Sequence, residues 1–474
     1  MNTAGESELP VIAILGDVNH GKSSVVATLA EDDSVRIGPF PTTTQCQRFR
    51  VRDLFEFVDT PGFQNAREAL HELKAAGSHA DPLSVFRDFL QRHLDDRFFV
   101  HESRLLEPVI AGASLLYVVD VSQPMEPRHD AEMEILRLTG AARIALLNQT
   151  GEPTHRAAWE ARLRQNFSTV IDFNAHRADF ANRLALLEAL ATVDLAGKAK
   201  LRAAIKVLQK DRDEKLDSAA RIIIDLLGEV LPLKLTEALR DPTEPAKQRL
   251  ALEERFRQKI VEREVWAHRA LVKIFAHRLV SVSRKGDSGF LSDGLFVERT
   301  WSLLGLSGWR LLAAGAGGGA LVGAKVDLMF GGATWGLGAA LGAGLGGGAA
   351  FAGSRSAPSF KLRLPYLTRQ LIGTELTAGP ITHENFPWIL LDRALGVFVS
   401  VSSRAHARRD EEVLDATSLA ERLKARGASV NQAPDSLRRK LAAAVRSIRK
   451  GRLEAEQREN VVTELRDWLR EISQ

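Results

Sequence analysis

The chain has 474 residues, of which 45% are hydrophobic and 26% charged; it is long enough for two or three domains, and this ordinary globular composition argues against a disordered protein. The formal net charge of +4 is small for this length, so a uniformly basic nucleic-acid binder is not implied, although local basic patches are compatible with it. The single cysteine, Cys46, excludes a disulfide framework or a cysteine metal cluster and fits a reducing compartment.

The first 190 residues carry the pattern of a parallel sheet wrapped by helices. The opening segment MNTAGESELP has no basic region followed by an apolar core, so no secretory signal is predicted and a cytoplasmic location is expected. Short β-branched runs then alternate with amphipathic stretches, which predicts an α/β fold with a mostly parallel sheet. The predicted strands are VIAILG (11–16), FEFVDT (55–60), SLLYVVD (114–120), RIALLN (143–148) and TVIDFN (169–174).

A phosphate-binding motif follows the first strand. The segment GDVNHGKS, Gly16 to Ser23, matches G-x-x-x-x-G-K-[ST] between a strand and a helix. Glycines let backbone N–H groups wrap the phosphates, Lys22 reaches the β and γ oxygens, and Ser23 offers a hydroxyl to Mg²⁺. The predicted phosphate-binding residues are Gly16, Asp17, Val18, Asn19, His20, Gly21, Lys22, Ser23 and Ser24.

A magnesium site and two switch segments are predicted downstream. Asp59 ends an apolar strand, where its carboxylate can hold Mg²⁺ through water, and the N–H of Gly62 can meet a γ-phosphate. The polar loop PFPTTTQ (39–45) has the position of a switch over magnesium, and Thr44 rather than Thr43 is expected to supply a hydroxyl. Threonines that simply precede an edge strand are the alternative. The predicted metal ligands are Ser23, Thr44 and Asp59.

Together GDVNHGKS, PTTTQ, DTPGF and YVVDVSQP (117–124) resemble the Era and TrmE branch of the translation-factor-related P-loop GTPases. The resemblance implies GTP and GDP as ligands, Mg²⁺ as cofactor and GTP hydrolysis. In that branch a P-loop asparagine is associated with a K⁺ ion that assists hydrolysis, and Asn19 occupies the matching place. A loop asparagine that tolerates an unusual φ is the alternative. The predicted catalytic residues are Lys22, Asn19 and Thr44.

The segment after Gly62 departs from that family. Phe63 stands where many switch GTPases have a glutamine that orients water, so hydrolysis would need K⁺, Gln64 or a partner's arginine. About 45 residues, 63–108, form an insertion that we expect to be an effector or homodimer surface. Its histidines match no metal-ligand spacing, which favours solvated helix surface over a metal site. They are His71, His79, His93 and His101.

The base-recognition motif is degenerate. The family uses N-K-x-D, whereas LLNQTGEPT has Asn148, then Gln149 for lysine and Gly151 for aspartate. Glu152 could reach the same base edge. Without a carboxylate, each base donor left unpaired would cost about 1–3 kcal/mol of binding free energy. In the last base-contact segment, NAH, only Ala175 matches. GTP is favoured over ATP because the other motifs follow the GTPase pattern and no adenine-pocket motif is present.

The remaining chain is predicted to be largely helical. Residues 193–300 show apolar spacing typical of a helical stalk or bundle, which would transmit the nucleotide state. Residues 301–357 are rich in glycine and alanine, and 328–353 lack charge, which suits either a membrane hairpin or a close-packed soluble helix pair. The membrane hairpin is favoured, although Lys325 and Asp327 lie within its first arm.

The closing region, 358–474, includes a basic amphipathic segment at 436–453. That segment suits an anionic membrane surface, RNA or an acidic partner, and a solvated face of an ordinary bundle is the alternative. The whole layout, with a G domain at 1–192, resembles an uncharacterised bacterial family that joins an Era-like G domain to a C-terminal domain of unknown function.

We therefore expect a GTPase switch at the cytoplasmic face of the inner membrane, bound peripherally or through the hairpin, with membrane lipid or a membrane protein as partner. An RNA- or ribosome-binding GTPase and a nucleotide-binding scaffold with little turnover are the alternatives.

Overall fold

The computed structural model describes residues 9–31, 46–51, 53–76, 82–93, 96–239, 245–277, 280–281, 375–408, 412–414, 425 and 428–473. Several predicted features lie outside the described residues: the loop 39–45 with Thr43 and Thr44, His79, and the glycine-rich segment 301–357 with Lys325 and Asp327. The roles predicted for them stay predictions.

The N-terminal domain is built on a six-stranded sheet in the order β2-β3-β1-β4-β5-β6, in which only β2 runs antiparallel. The strands are β1 Val11–Leu15, β2 Gln47–Val51, β3 Phe55–Asp59, β4 Ser114–Asp120, β5 Arg143–Asn148 and β6 Val170–Asp172. The predicted α/β fold with a mostly parallel sheet is confirmed. The predicted strands are all present, but β2 was not foreseen because QRFRV is a polar edge strand without an apolar run.

Helices cover both faces of this sheet. They are α1 Lys22–Ala30, α2 Ala66–Ala75, α3 Pro82–Arg92, α4 Val100–Ile110, α5 Pro127–Leu138, α6 Arg156–Asn166 and α7 Phe180–Val193. The insertion 63–108 supplies α2, α3 and α4, and side chains such as Phe86, Phe89 and Leu105 are buried in the core on one face of the sheet. The insertion is therefore an integral part of the domain.

One long helix, α8 Lys198–Val230, connects the two halves of the chain. Its first turns contribute Leu201 and Ile205 to the core beside α1 and α7, whereas Ile223 and Leu227 belong to a separate helical core. A continuous helix of 33 residues is about 50 Å long. The stretch 193–300, predicted as a helical stalk or bundle, thus holds α8, which packs on the sheet domain at one end and on the C-terminal region at the other, and a second long helix, α9 Pro245–Ile274.

The C-terminal region is mostly helical, as predicted. It contains α9 Pro245–Ile274, α10 Phe386–Ser402, a 3₁₀ turn Val430–Gln432, α11 Asp435–Arg449 and α12 Ala455–Ile472. Every residue of α10 is buried, so this helix forms the centre of the helical core. Within the residues described, no helix is long and apolar enough to cross a membrane.

Two short sheets lie in the part of the chain that was predicted to be largely helical. β7 Leu235–Ala238 pairs antiparallel with β9 Glu375–Ala378, and β8 Val280–Ser281 pairs parallel with β10 Glu412–Val413. These strands have two to four residues. Such short strands carry too few side chains for an alternating pattern to stand out in the sequence.

The basic segment at 436–453 folds largely as α11. Its apolar residues Leu437, Leu441, Val445 and Ile448 are buried in the helical core. Only the basic side of the helix faces solvent, as it does in an ordinary bundle. As packed here, α11 has no free apolar face to lay into lipid.

Candidate nucleotide-binding site

The loop between β1 and α1 has the backbone that a phosphate-binding loop needs. Gly16 and Gly21 adopt φ values of 137° and 85°, a region that side chains rarely adopt. A Cβ on Gly16 would lie 2.2 Å from the carbonyl oxygen of Val118. The chain can therefore turn under β4 and start α1 only with glycine at this position.

Lys22 lies across this loop. Its ammonium donates hydrogen bonds to the carbonyl oxygens of Gly16 at 3.1 Å and Asp17 at 2.9 Å. Burial lowers the pKa of Lys22, and the nearby carboxylates of Asp59 and Asp17 oppose that shift. The lysine side chain is thus held at the centre of the loop, where phosphate oxygens would meet it.

Asn19 sits at the exposed tip of the loop with φ of 66°. This left-handed backbone is the unusual conformation that asparagine tolerates better than most residues. Its carboxamide makes no hydrogen bond within the described part of the chain, and its predicted role with K⁺ stays a prediction.

Ser23 and Asp59 come together as predicted. The Ser23 hydroxyl donates to the Asp59 carboxylate at 2.7 Å, and Asp59 is only 1% exposed. The next residue, Thr60, anchors the turn by donating to the carbonyl of Ile14 at 2.7 Å. A hydroxyl beside a buried carboxylate is a hard oxygen donor set, so the residues present fit Mg²⁺.

The DTPGF segment packs against the phosphate-binding loop. A Cβ on Gly62 would lie 2.8 Å from Val18 Cγ2 and 2.9 Å from the Val18 backbone nitrogen, so only glycine fits. Phe63 is 3% exposed and belongs to the core under the insertion. Its ring is therefore part of the hydrophobic core.

Sequence reasoning missed Glu102, which holds the start of α2. This fully buried residue of α4 accepts hydrogen bonds from the backbone N–H groups of Gln64 at 2.7 Å and Asn65 at 2.6 Å. The Asn65 side chain also donates to the carbonyl of Phe98 at 2.7 Å. The insertion thus clamps the segment that follows Gly62. No local motif marks this role, because Glu102 lies far along the chain.

A buried polar cluster underlies the loop. Asp17 accepts hydrogen bonds from His129 Nε2 at 3.1 Å and Arg128 at 2.8 Å. Burial acts to raise the pKa of Asp17, but the hydrogen bond from His129, together with other nearby groups, outweighs burial and lowers it. Burial also lowers the pKa of neighbouring His20 to about 4 and raises that of Glu132 to about 8.

Asp17, His20 and His129 stand close enough together to suggest a metal site. However, His129 Nδ1 accepts the backbone N–H of Glu126 at 2.8 Å, so the ring proton resides on Nε2. That nitrogen donates to Asp17 and has no lone pair for a metal. The cluster therefore serves as a hydrogen-bonded support that ties α5 to the phosphate-binding loop.

The base-recognition end keeps part of the predicted arrangement. Asn148 donates to the carbonyl of His20 at 3.0 Å and accepts the N–H of Ala175 at 3.1 Å. It therefore joins the phosphate-binding loop to the NAH segment. The carbonyl of Gln149 accepts from Asn174 at 3.2 Å, which strengthens the same link.

None of these contacts at the base-recognition end involves a carboxylate that could pair with the base. Thr150 bonds to Asp120, which holds the following turn against β4. The side chain of Glu152 is exposed and makes no hydrogen bond or ion pair in the described portion of the chain. The predicted contact between Glu152 and a guanine base stays a prediction.

Two family descriptions match the chain. Residues 11–149 match the family described as 50S ribosome-binding GTPase, and residues 160–469 match the family described as Domain of unknown function (DUF3482). The second match begins within the sheet domain, so it includes the NAH segment as well as the helical region. A comparison with curated proteins found no match.

Two solved structures are similar to part of this chain. A bacterial selenocysteine-specific elongation factor EF-Sec has 18% identity and a TM-score of 0.23, covering 43% of this chain and 29% of that one. A mutation variant of SsGBP has 19% identity and a TM-score of 0.24, covering 42% and 56%. This chain therefore spans well under two thirds of either protein.

An oligomerised bacterial dynamin pair, described as sensing and tethering membranes, has 11% identity and a TM-score of 0.24 over 98% of this chain and 86% of that one. Similarity at this level carries no argument about function.

Proposed function

The chain belongs to the family described as Domain of unknown function (DUF3482), and we propose that it is a Mg²⁺-dependent switch that binds and hydrolyses GTP through its N-terminal P-loop GTPase domain. The observation that carries the proposal is the placement of Lys22 across the loop, with the Ser23 hydroxyl 2.7 Å from Asp59. In this proposal Lys22 binds the β and γ oxygens, and the N–H of Gly62 meets the γ-phosphate.

Ser23 and Asp59 would hold the magnesium ion, with Thr44 as a third ligand. When bound, the ion would supply positive charge that neutralises the phosphates. The buried core position of Phe63 supports a mechanism in which another group orients the attacking water. Our first candidate is a K⁺ ion bound by Asn19, and Gln64 or a partner's arginine are the others.

Hydrolysis of GTP and of ATP, each measured in K⁺ and in Na⁺, tests these assignments, with Lys22→Ala as the inactive reference. We expect GTP hydrolysis that depends on Mg²⁺ and is faster in K⁺. Hydrolysis of ATP but not GTP would refute the assignment of the base. Equal rates in K⁺ and Na⁺ would remove the role of Asn19.

We propose that the C-terminal region reads the nucleotide state through α1. Thr28 of α1 donates to the carbonyl of Ala175 at 2.7 Å and accepts the N–H of Ala407 at 3.2 Å. A single hydroxyl therefore touches both the base-side segment and the chain that follows α10. A shift of α1 on nucleotide exchange would reach the C-terminal region by this contact.

We further propose that the switch works at the cytoplasmic face of the inner membrane, through the uncharged stretch 328–353. The composition of this stretch suits a membrane hairpin, and its partner would be lipid or a membrane protein. Separately, we propose that the insertion 63–108 forms a homodimer surface. Because the apolar face of α11 is buried, we propose that this helix binds through its basic side alone.

A ribosome-binding role is the second candidate, because the family matched by residues 11–149 is described as ribosome-binding. The exposed basic side of α11, including Arg439 and Arg446, would then meet RNA phosphates. Flotation with anionic liposomes and co-sedimentation with ribosomes separate the two. Recovery with ribosomes and never with liposomes would refute the membrane proposal.

A further inference from the structure

A small cleft, in which about 20 Å³ is open to the centre of a water molecule, lies where the sheet domain meets the C-terminal region. It is lined from α1, α7, α8 and the segments that follow α9 and α10. Among the described lining residues, four side chains are cationic and two are anionic. These charged residues are Glu31, Asp179, Arg183, Arg212, Lys215 and Arg404.

Both carboxylates in the cleft are already engaged. Glu31 forms ion pairs with Arg183 at 2.6 Å and Lys215 at 2.8 Å. Asp179 caps α7 by accepting the backbone N–H of Asn182 at 2.9 Å. Lys215 also pairs with Asp211 at 3.3 Å, and none of these ion pairs includes Arg212.

Arg212 is the buried cation of the cleft, and the charges of Glu31, Asp179 and Asp211, beyond ion-pair distance, oppose its own. It is 8% exposed, and its guanidinium lies 5.4 Å from the ring of Phe180 and 5.2 Å from that of Phe275. Within the described residues it forms no ion pair, and its hydrogen bond to the carbonyl of Ser473 is long, at 3.5 Å. Burial, with the charge of Arg183, lowers the pKa of Arg212 to about 10, so the side chain stays charged at neutral pH.

A buried, charged guanidinium is costly unless an anion meets it. The aromatic rings hold the planar group in place, which favours the two-point contact that guanidinium makes with tetrahedral oxyanions. We propose that this cleft binds a phosphate-class oxyanion, with Arg212 as the central ligand and Arg183 and Lys215 beside it.

Such a ligand would bridge the two regions of the chain. Arg183 belongs to α7 of the sheet domain, whereas Arg212 and Lys215 belong to α8. The same chemistry could come from free inorganic phosphate or from the phosphate of a larger molecule such as a lipid headgroup. The site shares no lining residue with the phosphate-binding loop, so phosphate binding in the cleft can be measured in a variant whose loop is altered.

Calorimetric titration of the full chain with inorganic phosphate tests the site in a Lys22→Ala background, which removes the lysine contact of the phosphate-binding loop. We expect saturable binding that Arg212→Gln weakens about tenfold or more, the loss expected for a charged hydrogen bond. Arg202→Gln, which alters an exposed arginine on the same helix, should bind as before. Saturable binding that survives Arg212→Gln, or no saturable binding at all, would overturn the proposal.

Two further measurements complete the test. Glycerol 3-phosphate that binds at least tenfold tighter than inorganic phosphate would assign the site to the phosphate of a larger molecule, and equal binding would assign it to the free ion. Because Arg212→Gln could fail to fold, crystals of the unmutated chain soaked in selenate provide an independent readout. Anomalous density beside Arg212 is expected, and density at the phosphate-binding loop alone would contradict the proposal.

Discussion

The phosphate end and the base end of the candidate nucleotide site differ in how completely they are built. At the phosphate end, Lys22, Ser23 and Asp59 are buried or half-buried; Lys22 is hydrogen-bonded to carbonyls of the loop, and Ser23 is hydrogen-bonded to Asp59. At the base end, Asn148 connects the surrounding segments, but Gly151 and the exposed Glu152 provide no carboxylate in place. Affinity for the triphosphate and selectivity for guanine can therefore be separated in this chain.

The largest effect should come from Lys22→Ala at the phosphate end. Charge-assisted hydrogen bonds contribute about 1.5–3 kcal/mol each, so loss of two should weaken GTP and GDP binding about 100-fold or more. Titration with a fluorescent GDP analogue measures this, with the exposed Lys206→Ala as the matched control. Unchanged affinity in Lys22→Ala would show that the phosphates bind elsewhere.

Gly151→Asp should strengthen the base end. The new carboxylate can pair with two base donors, each worth about 1–3 kcal/mol if otherwise unpaired, so GDP should bind about tenfold tighter or more while ADP does not. A Cβ at this position would lie 3.3 Å from Ser122 Cβ, which requires only a small shift. Gly151→Asn, similar in size but uncharged, serves as the control. Equal gains for GDP and ADP would contradict the proposed location of the guanine edge.

Glu102→Gln should loosen the segment beside the phosphate end without removing the nucleotide. The glutamine side chain keeps one acceptor oxygen but lacks the negative charge of the carboxylate to which both N–H groups donate. The two hydrogen bonds should therefore be weaker by about 1 kcal/mol in total. Amide hydrogen exchange at Gln64 and Asn65 should then quicken about fivefold, while GDP affinity changes less than about threefold. Glu107→Gln, on the exposed side of α4, is the control. Exchange rates equal to those of the unmutated chain would argue against the clamp.

The smallest effect concerns Glu132, beneath the phosphate end. Burial, with the charge of Asp17, raises its pKa from 4.5 to about 8, so its neutral form stabilises the folded chain. That contribution is full below pH 4.5 and is lost as the pH rises toward 8. Between pH 6 and 7 the unmutated chain should lose about 1 kcal/mol more stability than Glu132→Gln. Urea unfolding of both proteins at both pH values measures the difference. An equal loss of stability in the two proteins would show that Glu132 is already ionised.

Much of the sheet domain was predictable from local patterns. The apolar strands and the glycine loop are each contained in a short stretch, so their periodicity and residue types identify them directly. β2 escaped prediction because an edge strand buries little apolar surface. The burial of Phe63 escaped because the core that receives it is built by the insertion, whose packing no short motif encodes.

By itself, the amino-acid sequence determined the phosphate end of the site, because strand, loop, lysine and serine are contiguous between residues 11 and 23. Only the tertiary structure decided how the chain supports that site and couples it to the C-terminal region. The Glu102 clamp joins residues 38 apart, and the contact of Thr28 with Ala407 joins residues 379 apart. The tertiary structure likewise decided what the apolar face of α11 packs against. An amphipathic helix can bury that face in a protein core or in a membrane, and the sequence of the helix does not distinguish the two.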